Sequence, residues 1–98
     1  MFLSIVVPCM NEEEGIPALV TRLSEVAKPW KERSEIILVD DGSTDGTWKA
    51  IQDASRAHPN LVGIKLSSNR GHQIALTAGL EAAKGERIMM LDADLQDP

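Results

Sequence analysis

Four short apolar runs divide the chain, at residues 3–7, 36–39, 61–64 and 88–91. Runs of this length, bounded by proline, glycine or polar residues, are typical of β-strands. Pro8 suits the last residue of the first strand, because proline cannot donate to a strand ladder. The fourth run is continuously apolar after Gly85, which predicts a strand buried on both faces.

Between these runs lie three segments in which apolar residues recur with a helical period, at residues 16–27, 47–58 and 72–83. The second segment stops before Pro59, and Gly85 follows the third as a helix stop. Three acidic residues, 12–14, precede the first segment and are expected in its first turn, where they would favour the helix dipole. The order β-α-β-α-β-α-β predicts an α/β fold with a parallel sheet, flanking helices and right-handed crossovers.

Composition narrows the class of protein. The chain has 98 residues, 43% hydrophobic and 26% charged, as expected for one small globular domain. Its net charge of −5 argues against binding to nucleic acid or to anionic lipid. Cys9 is the only cysteine, so there is no disulfide framework, and we expect its thiol to pack rather than react. No run approaches a membrane span, which favours a cytoplasmic location.

The loop after the fourth strand carries Asp92, Asp94 and Gln96. Parallel strands deliver their following loops to one edge of the sheet, where open α/β folds bind ligands. Two carboxylates and an amide oxygen are suitable ligands for Mg²⁺ or Mn²⁺, which would bridge a phosphate to this acidic edge. The alternative is a polar turn that merely caps the strand.

The loops after the first two strands are also polar. A carboxylate at Asp40 or Asp41 can accept the N–H of a uracil or guanine base, or a ribose hydroxyl. Asp41 can equally cap the turn before Thr47 as an Asx-type residue. Glu12 has the same two alternatives, ribose binding or capping of the first helix.

Three familiar motifs are absent from the sequence. There is no G-x-G-x-x-G after a strand and no G-x-x-x-x-G-K-[ST] loop, so dinucleotide binding and P-loop phosphotransfer are disfavoured. The acids after residue 91 lack the glycine and the terminal glutamate of a calcium loop.

Four segments together resemble glycosyltransferase family 2: PCMNE at 8–12, VDDGSTDGT at 39–47, NRGxxxA at 69–75 and LDADLQDP at 91–98. Their order and spacing match the family over nearly the whole chain. Ala93 between the two acids, with LQDP behind them, is most similar to the polyprenyl-phosphate branch, which includes dolichol-phosphate mannose synthases and undecaprenyl-phosphate sugar transferases.

The resemblance implies the N-terminal, Rossmann-like half of a GT-A fold and a nucleotide-sugar donor linked to UDP or GDP. The implied site falls into two sets. The base and ribose set is Pro8, Met10, Glu12, Val39, Asp40 and Asp41. The diphosphate and metal set is Asp92, Ala93, Asp94 and Gln96, which would hold Mg²⁺ or Mn²⁺. Met10 stands where the family often has an aromatic residue, which implies weaker stacking on the base.

The implied reaction is metal-assisted transfer of a sugar to a polyprenyl phosphate, with Asp92 and Asp94 as catalytic residues. Such an acceptor is already anionic and needs little or no general base. Arg70 and His72 could hold its phosphate, or could simply be solvated turn residues.

The resemblance also implies that a GT-A domain is longer than this chain. We therefore expect residues 1–98 to be the donor-binding part, with little transferase activity alone, and the longer parent protein to work at the cytoplasmic face of a membrane. In the family's strand order the fourth strand would lie at an exposed edge, which predicts a homo-oligomer through that edge. The alternatives are a receiver-like phosphoacceptor domain and an inactive nucleotide-binding or assembly module.

Overall fold

The computed structural model describes residues 2–30, 33–67 and 72–91, with only the backbone for residues 72 and 73. Seven regular elements alternate between strand and helix: β1 (Leu3–Cys9), α1 (Ile16–Ala27), β2 (Ser34–Asp40), α2 (Thr47–Ala57), β3 (Leu61–Lys65), α3 (His72–Ala82) and β4 (Arg87–Met90). A short 3₁₀ helix, Lys28–Trp30, follows α1. The predicted strands and helices are confirmed, with boundaries that differ by one or two residues.

The four strands form one parallel sheet in the order β3-β2-β1-β4. This order is the one that the family resemblance implied. The two long central strands, β1 and β2, pair along their whole lengths, from Leu3 opposite Ser34 to Cys9 opposite Asp40. Their carboxyl ends are therefore level, so the loops that follow them begin side by side.

Each face of the sheet has its own apolar core. On one face, Leu3, Ile5 and Val7 of β1 lie in a cluster with residues of β2, α1 and α2. On the other face, Val6 and Val39 lie in a smaller cluster with α3. The alternation along β1 and β2 follows the two-residue period of a strand, and burial on both faces explains their nearly continuous apolar sequences.

The predicted burial of the fourth strand on both faces is wrong. All four residues of β4 are exposed, including Ile88 at 43% and Met90 at 52%. The physical reason is the position of β4 at the edge of the sheet: within the described residues it pairs with β1 alone, and α3 packs on β1 and β2. Its outer edge therefore has backbone groups without a neighbouring strand among the residues that the structure describes.

The first strand continues one residue beyond Pro8 and ends at Cys9. The Cys9 carbonyl accepts the Asp41 N–H on the β2 side, whereas the Val6 carbonyl accepts the Leu91 N–H on the β4 side. Because peptide groups alternate along a strand, the missing N–H of Pro8 falls on the β4 side, where the β1–β4 pairing stops. The proline therefore ends one ladder and leaves the other intact.

The expectation that acidic residues occupy the first turn of α1 is also wrong. The helix begins after Gly15, has a proline in its first turn and has no acid there. The Glu12 carbonyl accepts the N–H groups of Gly15 and Ile16, so the acidic segment forms a separate turn before the helix. The capping alternative for the Glu12 side chain is not observed, since α1 has no side-chain cap.

A buried polar network closes the opposite, amino end of the sheet. Ser4 Oγ donates to Glu35 Oε2 at 2.6 Å and accepts the Gly85 N–H at 2.8 Å. The Lys84 N–H donates to the same Glu35 oxygen at 2.7 Å. Two strand side chains thus satisfy two backbone groups of the α3–β4 connection, which fixes where β4 begins.

No helix in the described part of the chain is long and apolar enough to cross a membrane.

Candidate functional site

The loops that follow β1 and β2 lie side by side at the carboxyl edge of the sheet and are joined at two places. We call the first joint, formed by Asn11, Ser43 and Thr44, the first loop contact. Asn11 N–H donates to Ser43 Oγ at 2.9 Å, and Asn11 Oδ1 accepts the Thr44 N–H at 2.9 Å. Asn11 has φ 51°, a left-handed conformation that asparagine tolerates better than most residues.

The second loop contact consists of Glu12, Glu13, Asp45, Gly46 and Thr47. Glu12 N–H donates to the buried Thr47 Oγ1 at 2.8 Å, and Glu13 Oε1 accepts the Gly46 N–H at 3.0 Å. Asp45 Oδ1 accepts the Thr47 N–H at 2.9 Å and the Thr47 hydroxyl, while its other oxygen accepts the Glu13 N–H at 3.3 Å. The start of α2 is thereby attached to the segment that leads into α1.

Asp40, the last residue of β2, is 1% exposed. Its Oδ1 accepts the Ser43 N–H at 3.0 Å and closes a turn that includes Gly42 at φ 78°. An Asx-type turn is therefore present at Asp40, and the alternative of an Asx-type cap at Asp41 stays a prediction. Oδ2 of Asp40 is buried and has no hydrogen-bond partner within the described structure.

The six residues predicted to bind base and ribose all lie at this edge, but their exposure differs. Pro8, Val39, Asp40 and Asp41 are buried, and Val39 packs in the core beneath α3. Met10 and Glu12 are partly exposed and flank Asn11 on the rim. Met10 and Glu12 therefore have the more exposed side chains of this set, and the base and ribose contacts of all six stay a prediction.

The electrostatics of the edge are acidic. Burial first, and then the negative charges of Asp40 and Glu12, raise the pKa of the Cys9 thiol to about 12. The thiol donates to the Val7 carbonyl at 3.6 Å. Cys9 is therefore a packed, protonated side chain and not a nucleophile, which confirms the expectation for it. The hydrogen bond from Thr47 lowers the pKa of Asp45 below its ordinary value of 3.8.

The predicted metal and diphosphate residues Asp92, Ala93, Asp94 and Gln96 lie outside the described residues, as does Arg70. The side chain of His72 is not described either. Leu91 N–H donates to the Val6 carbonyl at 3.1 Å, so β4 ends at the same edge of the sheet as β1. Residues 2–30, 33–67 and 72–91 contain no group of three or more histidine, cysteine or acidic side chains that could hold a metal.

The loop contacts contain residues to which the sequence analysis assigned no binding or catalytic role: Asn11, Glu13, Ser43, Thr44, Asp45 and Thr47. A signal was available in the composition of the second loop, since short Asp, Ser and Thr side chains between a strand and a helix commonly bind nearby backbone. What the sequence could not reveal was that these groups bind across to a loop about thirty residues away.

Level strand ends, joined polar loops and a parallel sheet define an α/β domain of the class in which ligands bind at the carboxyl edge of the central strands. Residues 4–98 match the family model described as glycosyl transferase family 2. The chain belongs to that family, and its fold is the Rossmann-like half of a GT-A domain.

Three relatives illustrate the match. The chain is 44% identical over 96 residues to an undecaprenyl-phosphate 4-deoxy-4-formamido-L-arabinose transferase of Aeromonas hydrophila, covering 97% of this chain and 29% of the relative. It superposes on the mannosyltransferase PcManGT of Pyrobaculum calidifontis, in complex with GDP-Man and Mn²⁺, with a TM-score of 0.85 and 32% identity over 94% of this chain and 27% of that one. For S. aureus TarS 1-349 in complex with UDP-GlcNAc the TM-score is 0.81, with 34% identity over 96% of this chain and 27% of that one.

Proposed function

We propose that residues 1–98 form the donor-binding part of a metal-dependent glycosyltransferase that moves a sugar from a nucleotide-sugar to a polyprenyl phosphate. The observation that most directly supports this proposal is that hydrogen bonds join the two loops. They hold the segment of Met10 and Glu12 against the segment of Asp40 and Asp41. PcManGT in complex with GDP-Man and TarS in complex with UDP-GlcNAc support a nucleotide-sugar as the donor. The undecaprenyl-phosphate transferase supports a lipid phosphate as the acceptor.

In this proposal the base and ribose lie over the rim between the two loops. Met10 offers a flexible, polarizable thioether to the base, and Glu12 offers a carboxylate to the ribose hydroxyls. Asp41 accepts a base N–H, with Asp40 close by. Pro8 and Val39 form the buried floor, where Val39 contributes packing and backbone rather than an exposed side chain.

Asp92, Asp94 and Gln96 are the residues that would hold Mg²⁺ or Mn²⁺, with Ala93 against the diphosphate. Their oxygen atoms are of the type that these cations prefer, and PcManGT is in complex with Mn²⁺. A bound cation would supply Lewis-acid stabilisation of the negative charge on the departing nucleoside diphosphate. Asp92 and Asp94 are in this sense the catalytic residues.

The acceptor part of the proposal concerns Arg70 and His72, which follow β3 and would hold the acceptor phosphate. A phosphate oxygen is already a nucleophilic anion, so no residue of the chain needs to remove its proton. Because a polyprenyl phosphate resides in a bilayer, the parent protein would work at the cytoplasmic face of a membrane. Residues 1–98 alone would transfer sugar poorly, since they carry the donor side of the site.

Calorimetric titration of the 98-residue chain with UDP and with GDP, each with and without Mn²⁺, tests the proposal. We expect one nucleotide to bind, to bind more tightly with Mn²⁺, and to lose that gain in an Asp92→Asn/Asp94→Asn variant. Asp53→Asn, which removes an exposed carboxylate in α2, is the matched control. Nucleotide binding of the same strength with and without Mn²⁺ would favour the inactive nucleotide-binding module instead.

The same preparation tests the remaining alternatives. The family match leaves the receiver-like phosphoacceptor alternative without support. Phosphorylation of the chain by acetyl phosphate would support that alternative. Rapid turnover of a nucleotide-sugar and a polyprenyl phosphate by residues 1–98 would contradict the assignment of the chain to the donor side alone.

We infer that β4 is also the site of self-association. Its outer edge is unpaired among the described residues, and Ile88, Met89 and Met90 are exposed beside it. An edge strand of this kind pairs readily with another chain, and a lysine in it opposes such pairing. We expect light scattering at tens of micromolar to detect a dimer that Met89→Lys abolishes. Val62→Lys on the opposite edge strand is the control, and a monomeric wild-type chain would refute the inference.

A further inference from the structure

Asn11 lies between the two residues of the proposed base and ribose set that are most exposed, Met10 and Glu12. Its φ of 51° turns the chain sharply between them. The direction in which each neighbouring side chain leaves the rim therefore depends on how this one residue is held. An exposed residue in a left-handed conformation has no packing to hold it, so its hydrogen bonds must do so.

The hydrogen bonds of Asn11 all lead to the other loop. Its N–H is held by Ser43 Oγ at 2.9 Å, and its side-chain oxygen accepts the Thr44 N–H at 2.9 Å and the Thr44 hydroxyl at 3.4 Å. A side chain and its own backbone thus bind two successive residues, which fixes both the position and the rotation of the Asn11 peptide.

Ser43 connects this contact to the end of β2. Its N–H donates to Asp40 Oδ1 at 3.0 Å, and its hydroxyl lies 4.0 Å from Met10 Sδ. A continuous chain of hydrogen bonds therefore runs from the buried Asp40 carboxylate through Ser43 to Asn11. Through these hydrogen bonds, the buried end of β2 holds the more exposed Met10–Glu12 segment in place.

We propose that Asn11 and Ser43 are positioning residues that set the spacing between the two halves of the nucleotide pocket. This inference rests on the proposed function, because it assigns them a role in binding the base and ribose of the donor. Neither residue needs to touch the nucleotide. Their effect is to hold the pocket in its binding geometry before the ligand arrives, which removes the cost of ordering the loops on binding.

The inference predicts that loss of the first loop contact weakens nucleotide binding while the thermal midpoint of the chain stays almost the same. The first loop contact lies at the rim, away from both apolar clusters, so its loss should change the thermal midpoint little. It should weaken nucleotide binding by about tenfold, because the two halves of the pocket would then be ordered only by the ligand.

Four variants test this separation. Asn11→Gly keeps the left-handed backbone accessible and removes the side-chain acceptor. Asn11→Asp keeps an acceptor oxygen at that place. Ser43→Ala removes the hydroxyl, and Ser43→Thr keeps it. Ser55→Ala is the matched control, since it removes an exposed hydroxyl that binds the Gln52 carbonyl within α2.

Three measurements are made on each chain: amide hydrogen exchange at Thr44 without ligand, calorimetric titration with UDP and with GDP in Mn²⁺, and the thermal midpoint. For Asn11→Gly we expect faster exchange at Thr44, about tenfold weaker binding of the nucleotide that wild type prefers, and an almost unchanged midpoint. Ser43→Ala should weaken binding similarly, and the Asp and Thr variants should recover most of it.

Wild-type affinity in both Asn11→Gly and Ser43→Ala would overturn the inference, as would losses of affinity that merely follow the thermal midpoint. Failure of the proposed function has a different signature. In that case the wild-type chain itself would bind neither UDP nor GDP, even though Thr44 exchanges slowly, and the positioning role would fall with the function.

Discussion

The two ends of the sheet use the same chemistry in opposite surroundings. At the amino end, Ser4 and Glu35 bind the backbone of the α3–β4 connection and are both buried. At the carboxyl end, side chains such as Asn11 and Asp45 bind the backbone of a neighbouring loop while they remain exposed. In both places, polar side chains accept hydrogen bonds from backbone N–H groups that lie outside the strands.

The two ends of the sheet differ in whether water can replace a lost hydrogen-bond partner. A buried N–H that loses its partner stays unsatisfied, whereas an exposed one is taken over by solvent. The amino end is therefore expected to contribute more to the free energy of unfolding. The hydrogen bonds of the carboxyl end are expected to contribute less to the free energy of unfolding, because water can replace a lost partner there.

The largest expected effect comes from removing the acceptor at the buried end. Glu35→Ala leaves the Ser4 hydroxyl and the Lys84 N–H without their shared oxygen, and we expect it to lower the free energy of unfolding by about 3 kcal/mol. Urea denaturation measures the loss. Glu35→Gln keeps one acceptor oxygen and should lose less, so equal losses in the two variants would show that the network is not what stabilises this end.

Gly85→Ala tests the close approach at the same end. A Cβ there would lie 2.5 Å from Ser4 Oγ and 2.7 Å from Ser4 N, so the connection must shift away from β1. We expect a loss of about 2 kcal/mol, typical of overpacking against backbone.

The control for that substitution lies at the open end. Gly15→Ala would place its Cβ 3.2 Å from the flexible Glu12 Oε2, in a helical backbone conformation that alanine adopts readily. It should be nearly neutral or stabilising, and a loss as large as that of Gly85→Ala would remove the contrast between the ends.

Thr47 sharpens the comparison because, like Asp40, it lies at the open end and is nevertheless buried. Its hydroxyl accepts the Glu12 N–H and donates to Asp45. Thr47→Val keeps the shape and removes both bonds, and we expect a loss of about 1 kcal/mol in urea denaturation. Thr47→Ser, which keeps the hydroxyl, should retain the Glu12 contact; a serine variant as unstable as the valine variant would assign the loss to the methyl group instead.

Hydrophobic periodicity was sufficient to predict the order of strands and helices, because β1, β2 and the inner faces of α1 and α2 bury apolar residues at regular intervals. It failed at β4. Ile88 and Met90 have strand composition like that of Ile36 and Leu38, but their burial depends on what lies beside and above the strand, which local sequence does not encode.

The candidate site was predicted as a set of strand ends, and the structure brings Met10 and Glu12 to the same rim as Asp40 and Asp41. The Asx-type turn at Asp40 was not predicted, because that role depends on where β2 stops, and it stops at Asp40. The loop contacts were not predictable from the separate segments, since the bonds between the two loops join residues that the chain keeps about thirty positions apart.

The smallest expected effect is the pH dependence of the exposed end. Hydrogen bonds from Thr47 lower the pKa of Asp45 in the folded chain below its ordinary value of 3.8. A depressed carboxyl pKa gives stability that is present above the unfolded value and disappears as the pH falls through the folded value. Urea midpoints measured from neutral pH to below 3.8 should therefore show that Asp45→Asn is less stable than wild type at neutral pH, with the difference vanishing in acid.

Asp53→Asn controls for the loss of one negative charge on the surface. A gap between wild type and Asp45→Asn that persists unchanged in acid would mean that the carboxylate charge does not hold the second loop contact, and that the variant loses stability because its amide has one acceptor oxygen where Asp45 uses two.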